Sequence, residues 1–163
     1  YIPQHPYIFS GTVKENIMWY APNATDKEIT EAAERTGLSE LISQFPNGLN
    51  EKIGQGGRAL SGGEEQRIAL ARALLTNRPI MFFDEPTAHL DIETEHDIKE
   101  IMLPLLDNKL VFFATHRLHW MNEMDYILVM DGGRLAESGT PDELFRKNGV
   151  FTQLVKVHRG EVS

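Results

Sequence analysis

Residues 80–91 read Ile80-Met81-Phe82-Phe83-Asp84-Glu85-Pro86-Thr87-Ala88-His89-Leu90-Asp91. The first four form a short continuous apolar run, the pattern of a strand covered on both faces in a parallel sheet. A helix is expected over about 92–106, and a second apolar run, Leu110-Val111-Phe112-Phe113-Ala114, follows it. Strand, helix and strand in that order predict a parallel βαβ unit and an α/β fold. In such sheets ligands bind beyond the carboxyl ends of the strands. The first run leads into Asp84-Glu85 and the second leads through Thr115 into His116, so two acids and a histidine are expected along one sheet edge. A carboxylate there can hold Mg²⁺, and a second beside it can orient or deprotonate an attacking water. Taken alone, Asp84-Glu85 reads equally as a solvated strand-to-loop turn.

Upstream, residues 61–77 carry Ile68, Leu70, Ala71, Leu74 and Leu75 at helical spacing, behind Leu60-Ser61-Gly62-Gly63-Glu64. Ser61 and Glu64 fit a capping box. Capping leaves two glycines in the first turn unexplained, since each weakens a helix. Bare backbone at a helix N-terminus lets an anion reach free N–H groups at the positive dipole end, so a phosphate is the natural guest. Residues 12–46 read as helical, with capping boxes Thr12/Glu15 and Thr25/Glu28, and Gly54-Gln55-Gly56-Gly57 reads as a loop. Downstream, residues 125–130 and 134–138 flank Asp131-Gly132-Gly133 as a hairpin, and Thr140-Pro141 with Glu143 opens a last helix. The charged stretch 93–100 reads as a solvated helix face. Asp91 stands where it can cap the helix that follows it.

The 163 residues suit one domain, with 16 Lys+Arg against 24 Asp+Glu and a formal charge of -8. That acidic balance argues against a nucleic-acid partner held on a broad basic face. The absence of Cys excludes disulfides, thiolate metal sites and a cysteine nucleophile. No apolar run approaches the ~18 residues that span a bilayer. His116 and His119 have a spacing found among zinc ligands on helices, but no Cys or nearby carboxylate completes the set. The start, Tyr1-Ile2-Pro3-Gln4, has no initiator Met and no signal-peptide pattern, and reads as a chain entered in mid-domain.

Leu60-Ser61-Gly62-Gly63-Glu64 with Gln66-Arg67 resembles the signature motif of ATP-binding cassette (ABC) nucleotide-binding domains. Residues 80–85 resemble their Walker B strand with its catalytic glutamate. Ala88-His89-Leu90-Asp91 is similar to the D-loop, His116 to the switch histidine and Gln4 to the Q-loop glutamine. Phe9-Ser10-Gly11-Thr12-Val13 with Glu15-Asn16-Ile17 is similar to the stretch after the Q-loop in exporter-type members. Within the exporters, the motifs and the tail Gly139-Thr140-Pro141-Asp142-Glu143-Leu144 look most like the heterodimeric thiol exporters of bacterial cytochrome bd biogenesis.

The resemblance implies a partial P-loop NTPase fold, with a mostly parallel sheet and an inserted helical subdomain at about 12–77 that carries the signature. Residues 78–163 would be the C-terminal part of the catalytic core. It implies ATP and Mg²⁺ as cofactors. Asp84 would hold Mg²⁺, Glu85 would polarise the hydrolytic water, His116 would contact the γ-phosphate, and Gln4 would sense Mg²⁺ or water. Leu60, Ser61, Gly62, Gly63 and Glu64 would serve ATP held by a second, head-to-tail nucleotide-binding domain, and Asp91 would act across that interface. The other partner would be the exporter's transmembrane domain, at the cytoplasmic face of the cell membrane. Met18-Trp19-Tyr20 would be core or part of the groove that receives a membrane-domain helix, core being the commoner fate of such clusters.

Gln55, Ala88-His89 and Glu64 depart from the commoner Glu, Ser-Ala and Gln of exporters. None of the 13 glycines is followed by Lys, so no Gly-x-x-x-x-Gly-Lys-Ser/Thr loop is present. The chain is therefore expected to work as an ATPase in a longer protein and to be inactive alone. The competing expectation is a non-catalytic interaction module that keeps the signature and coupling surfaces.

Overall fold

Residues 1–158 are described in a computed structural model, so residues 159–163 of the expected core segment 78–163 lie outside the described residues. The chain divides into two compact units, Tyr1–Thr115 and a second from His116 onward.

In the first unit, β1 (Gly11–Thr12) leads directly into α1 (Val13–Ile17), followed by α2 (Asp26–Arg35), α3 (Leu38–Ser43), β2 (Lys52–Ile53), α4 (Gly62–Thr76), β3 (Ile80–Asp84), α5 (Ile92–Met102) and β4 (Leu110–Ala114). The expected helical stretch 12–46 is thus three helices. Pro22 cannot continue a helix, Thr25 caps the next one, and Gly37 takes a left-handed φ of 67° between α2 and α3. The capping boxes at Thr12/Glu15 and Thr25/Glu28 are both formed. Backbone N–H groups donated to Glu15 and Glu28 hold both carboxyls below their ordinary pKa. A lowered folded-state pKa places that stabilisation above the unfolded carboxylate range and removes it as pH falls.

α4 is buried on most of its circumference, from Gly63 and Gln66 through Ile68–Arg72, because α1, α2 and α5 pack around it. Val13, Ile17, Ile29, Leu38, Ile53 and Ile68 form the core beside it. The charged head of Arg72 is buried, and each of its three nitrogens donates a hydrogen bond. Its Nε donates to the Asn16 carbonyl at 2.6 Å, Nη1 to the Tyr7 carbonyl at 2.8 Å, and Nη2 to Asn16 Oδ1 at 2.9 Å. Burial pushes the guanidinium pKa down, and these acceptors offset the lost hydration.

β3 and β4 pair in parallel, Ile80 opposite Leu110 and Asp84 opposite Ala114, and Ile2 bridges to Phe83 on the other side of β3, also in parallel. The expected burial on both faces is not met. Met81 and Phe83 are buried, whereas Ile80 is 49% and Phe82 48% exposed, with Leu110 and Phe112 exposed on the same face. Alternate strand residues point to opposite faces, and the elements of this unit cover one of them. The Phe82 and Phe112 rings stack at 4.7 Å on the open face.

The second unit holds β5 (Ile127–Asp131), β6 (Arg134–Gly139), α6 (Pro141–Lys147) and α7 (Val150–His158). β5 and β6 are an antiparallel hairpin whose turn residues Gly132 and Gly133 both have positive φ, 53° and 74°. Thr140 and Glu143 form the capping box of α6 behind Pro141. Met121, Val129, Leu144, Phe151 and Val155 make the core. Glu137 of β6 accepts from the amides of Val150 at 3.0 Å and Phe151 at 2.9 Å, supplying the N-terminus of α7 with a carboxylate. Glu137→Ala should lower stability by about 1–2 kcal/mol in urea titrations, with Glu137→Gln losing less, since an amide oxygen still accepts. Equal losses in the two variants would contradict this capping role.

Candidate functional site

The parallel register carries β3 and β4 to a common end. Beyond it the Glu85 amide donates to the Ala114 carbonyl at 2.9 Å, and Thr115 Oγ1 donates to Glu85 Oε2 at 3.1 Å. Glu85 leaves the strand with φ 46°, a left-handed conformation that strains a side-chain-bearing residue and turns the chain sharply. Asp84, the last residue of β3, is exposed and accepts from the Tyr1 hydroxyl at 2.9 Å. That hydrogen bond, with the carboxylate charge behind it, pushes the Tyr1 phenol up from its ordinary pKa. The Ile2 amide donates to the Phe82 carbonyl at 2.8 Å and the Asp84 amide to the Ile2 carbonyl at 3.0 Å. Pro3 and Gln4 therefore leave the sheet at the same edge as Asp84 and Glu85. The buried Gln66 of α4 secures them, its Nε2 lying 3.0 Å from the Gln4 carbonyl and 3.3 Å from that of Pro3.

Ser61 caps α4 as expected: its amide donates to Glu64 Oε2 at 2.8 Å and its hydroxyl accepts from the Glu64 amide at 3.3 Å. Leu60, half-buried, packs on the helical core. The glycines have a reason that sequence reasoning did not find. A Cβ on Gly62 would lie 2.5 Å from His89 Cδ2, and one on Gly63 would lie 2.5 Å from Thr94 Cγ2. The first turn of α4 thus sits close against residues 89–94, and a side chain on Gly62 or Gly63 would have to displace the His89 ring or the Thr94 methyl group, a packing reason for glycine that needs no phosphate. Thr94 cannot easily yield, because its amide donates to Asp91 Oδ1 at 2.9 Å and its hydroxyl to Asp91 Oδ2 at 2.7 Å. Asp91 is thereby the N-cap of α5, and the Thr94 amide holds its carboxyl below the ordinary range.

Two further expectations are revised. In the charged stretch 93–100, Glu95 is buried and accepts from the buried Thr87 hydroxyl, which ties the turn after β3 to α5. Of the cluster Met18-Trp19-Tyr20, Met18 packs against the helical core as expected, whereas Trp19 and Tyr20 are 40% and 67% exposed. Trp19 packs edge-on against Phe9 and Tyr7, at 4.3 and 5.6 Å between ring centroids, in a partly exposed aromatic group.

The first unit therefore carries Gln4, Asp84 and Glu85 at one strand end, residues 60–64 at the N-terminus of α4 and Asp91 at the N-terminus of α5. His116 opens the second unit and is exposed, as is His119. Thr115, Gln66, Thr94 and His89 were missed as supports, since each acts through a contact distant in sequence. Oxygen donors at an exposed strand end suit a hard divalent cation such as Mg²⁺.

The family model described as "ABC transporter" matches residues 1–88. The chain belongs to the ABC transporter family. Among curated ABC relatives it is 63% identical over 161 residues to the Bacillus subtilis glutathione/L-cysteine transport system ATP-binding/permease protein CydC, covering 99% of this chain and 28% of that one. It is 40% identical over 152 residues to the Escherichia coli protein of the same name, covering 93% and 26%. The solved structure of a bacterial Atm1-family ABC exporter with ATP bound matches at a TM-score of 0.85 and 36% identity, covering 99% of this chain and 28% of that one. The chain thus spans little more than a quarter of the length of these relatives, and its fold is that of an ABC ATPase.

The close packing of α4 has a direct test. Gly63→Ala should lower stability by about 1–3 kcal/mol, and adding Thr94→Ser, which removes Cγ2 but keeps the hydroxyl, should recover most of the loss. Additive losses in the double variant would place the strain elsewhere.

Proposed function

We propose that this chain supplies the signature-bearing and water-activating part of an ATPase that drives an ABC exporter. The observation that carries this reading is the held Glu85: its backbone is fixed by Ala114, its carboxylate is touched by Thr115, and Asp84 and the Gln4 segment flank it. An attacking water next to Glu85 would be oriented by the carboxylate and would lose its proton to it. Asp84 would hold Mg²⁺, with Gln4 contributing at the same edge, and the ion would neutralise charge developing on the phosphate oxygens. His116 would hydrogen-bond the γ-phosphate.

Ser61, Gly62 and Gly63 would face the γ-phosphate of ATP bound to a second nucleotide-binding domain, head to tail, using the free N–H groups and positive dipole end of α4. Leu60 and Glu64 would support that turn, and Asp91 would act across the interface. The Gly-Lys loop that holds the triphosphate is not among these 163 residues, so turnover belongs to a longer protein. The relatives named for glutathione and L-cysteine transport support low-molecular-weight thiols as cargo, a transmembrane domain as the second partner, and a site at the cytoplasmic membrane face. No described helix is long and apolar enough to cross a membrane.

In the complete protein, Glu85→Gln should leave ATP affinity intact while lowering hydrolysis by about 10²–10⁴-fold, measured as phosphate release. A residual rate above roughly one tenth of normal would remove Glu85 from this role, whereas no phosphate release by the complete wild-type protein would favour a non-catalytic interaction module. Ser61→Asp separates capping from phosphate contact. Asp caps a helix as well as Ser does, so the melting temperature should move by a few degrees at most. ATP-driven dimerisation and turnover should nonetheless be nearly lost, through like charge against the phosphate. Normal turnover would leave Ser61 a helix cap.

A further inference from the structure

Two hydroxyls, one from each neighbour of β3, meet the two acids at its end. On the β4 side Thr115 Oγ1 donates to Glu85 Oε2 at 3.1 Å. On the other side, where Ile2 bridges to Phe83, the Tyr1 hydroxyl donates to Asp84 Oδ2 at 2.9 Å. A phenol is protonated at neutral pH and an ionised carboxylate only accepts, so the direction of this bond is settled. Among the described residues no other hydrogen bond or ion pair reaches the Asp84 carboxylate. The backbone behind Tyr1 is fixed. Ile2 is 4% exposed, its amide donates to the Phe82 carbonyl at 2.8 Å, and its carbonyl accepts from the Asp84 amide at 3.0 Å. Ile2 is buried, as are Met81 and Phe83, and alternation along the extended chain puts Tyr1 on the open face with Phe82 and Asp84. Tyr1 itself is 76% exposed, so packing does not hold the ring and the hydroxyl is its tie to the site.

We propose that Tyr1 is a positioning residue for the divalent cation: its hydroxyl occupies Oδ2 of Asp84 and leaves Oδ1 as the oxygen available to the metal. The inference rests on the reading of Asp84 as the residue that holds Mg²⁺. The last torsion of an aspartate is broad and roughly two-fold, so an untied carboxylate at an exposed strand end presents either oxygen. A donor already seated on Oδ2 removes that freedom before any ion arrives. Partners that hydrogen-bond a metal-holding carboxylate in this way are typically worth about 10–100-fold in metal affinity. Thr115 treats Glu85 alike from the opposite side of β3, so each acid has a hydroxyl of its own. Phe at residue 1 keeps the ring and removes only the donor.

The experiment uses the complete protein, in excess over a β,γ-imido analogue of ATP so that all nucleotide is bound. Mn²⁺ is titrated in, and the free ion is read by electron paramagnetic resonance. Tyr1→Phe should weaken Mn²⁺ binding about 10–100-fold. Its affinity for the analogue in EDTA and its melting temperature should stay near those of wild type, because an exposed ring is retained. Asp84→Asn should weaken Mn²⁺ binding at least as much, and adding Tyr1→Phe to it should cost nothing further, since the hydroxyl acts through the carboxylate. An Mn²⁺ affinity for Tyr1→Phe within about twofold of wild type would overturn the proposal. So would losses that add in the double variant, or a loss that arrives with weaker analogue binding in EDTA and a lowered melting temperature, as a merely structural role predicts. Asp84→Asn measured alone keeps the two readings apart. Wild-type Mn²⁺ affinity in that variant overturns the metal reading of Asp84 and the proposal with it, whereas a loss there with none in Tyr1→Phe overturns the role of Tyr1 alone.

Discussion

With Asp84 opposite Ala114 in the parallel register, the Glu85 amide is held by the Ala114 carbonyl at 2.9 Å, and the rest of the strand-end site is set out from that bond. It forces the left-handed turn at Glu85 and brings Thr115 to its carboxylate. The same strand accepts Ile2 on its other side, which sends Gln4 out at the same edge. A slip of one residue in β3 would turn Asp84 and every apolar side chain to the opposite face. The buried Met81 and Phe83 oppose such a slip.

The second dependence is the approach of α4 to residues 89–94. Gly62 and Gly63 weaken the helix by their own entropy, and the structure accepts that in exchange for backbone contact with His89 and Thr94. The same bareness that allows this packing also leaves N–H groups open to an anion. Packing and phosphate binding therefore demand the same residue type here. Glycine at these positions alone does not distinguish them, whereas Ser61→Asp and Gly63→Ala with Thr94→Ser do.

What could be read from the chain was what is local. Capping boxes at Ser61/Glu64 and Thr140/Glu143 depend on a three-residue spacing and formed as expected. Two apolar runs separated by a helix gave the parallel pair. The motifs resembling an ABC domain also named the family to which the chain belongs, because several of them occur in order. What escaped was set by partners distant in sequence. Phe82 and Phe83 are equally apolar, and which one is buried depends on what packs against each face. Trp19 reads as core, yet it packs edge-on against Tyr7 and Phe9 and stays 40% exposed. Glu95 looked solvated until Thr87 reached it. The seat of His89 on Gly62 spans 27 residues of chain (89 − 62) and has no periodic signal at all.

The central claim is that the strand end and the first turn of α4 are built before nucleotide arrives, by Ala114 and by the contacts of residues 89–94. Amide hydrogen exchange of the complete, nucleotide-free protein tests it most directly. The account predicts that the amides of Glu85, Ser61 and Glu64 are protected without ATP, because each already donates to a protein oxygen, and that adding ATP changes their protection little. Exchange of all three at the rate of unstructured chain, with protection appearing when ATP is bound, would contradict it.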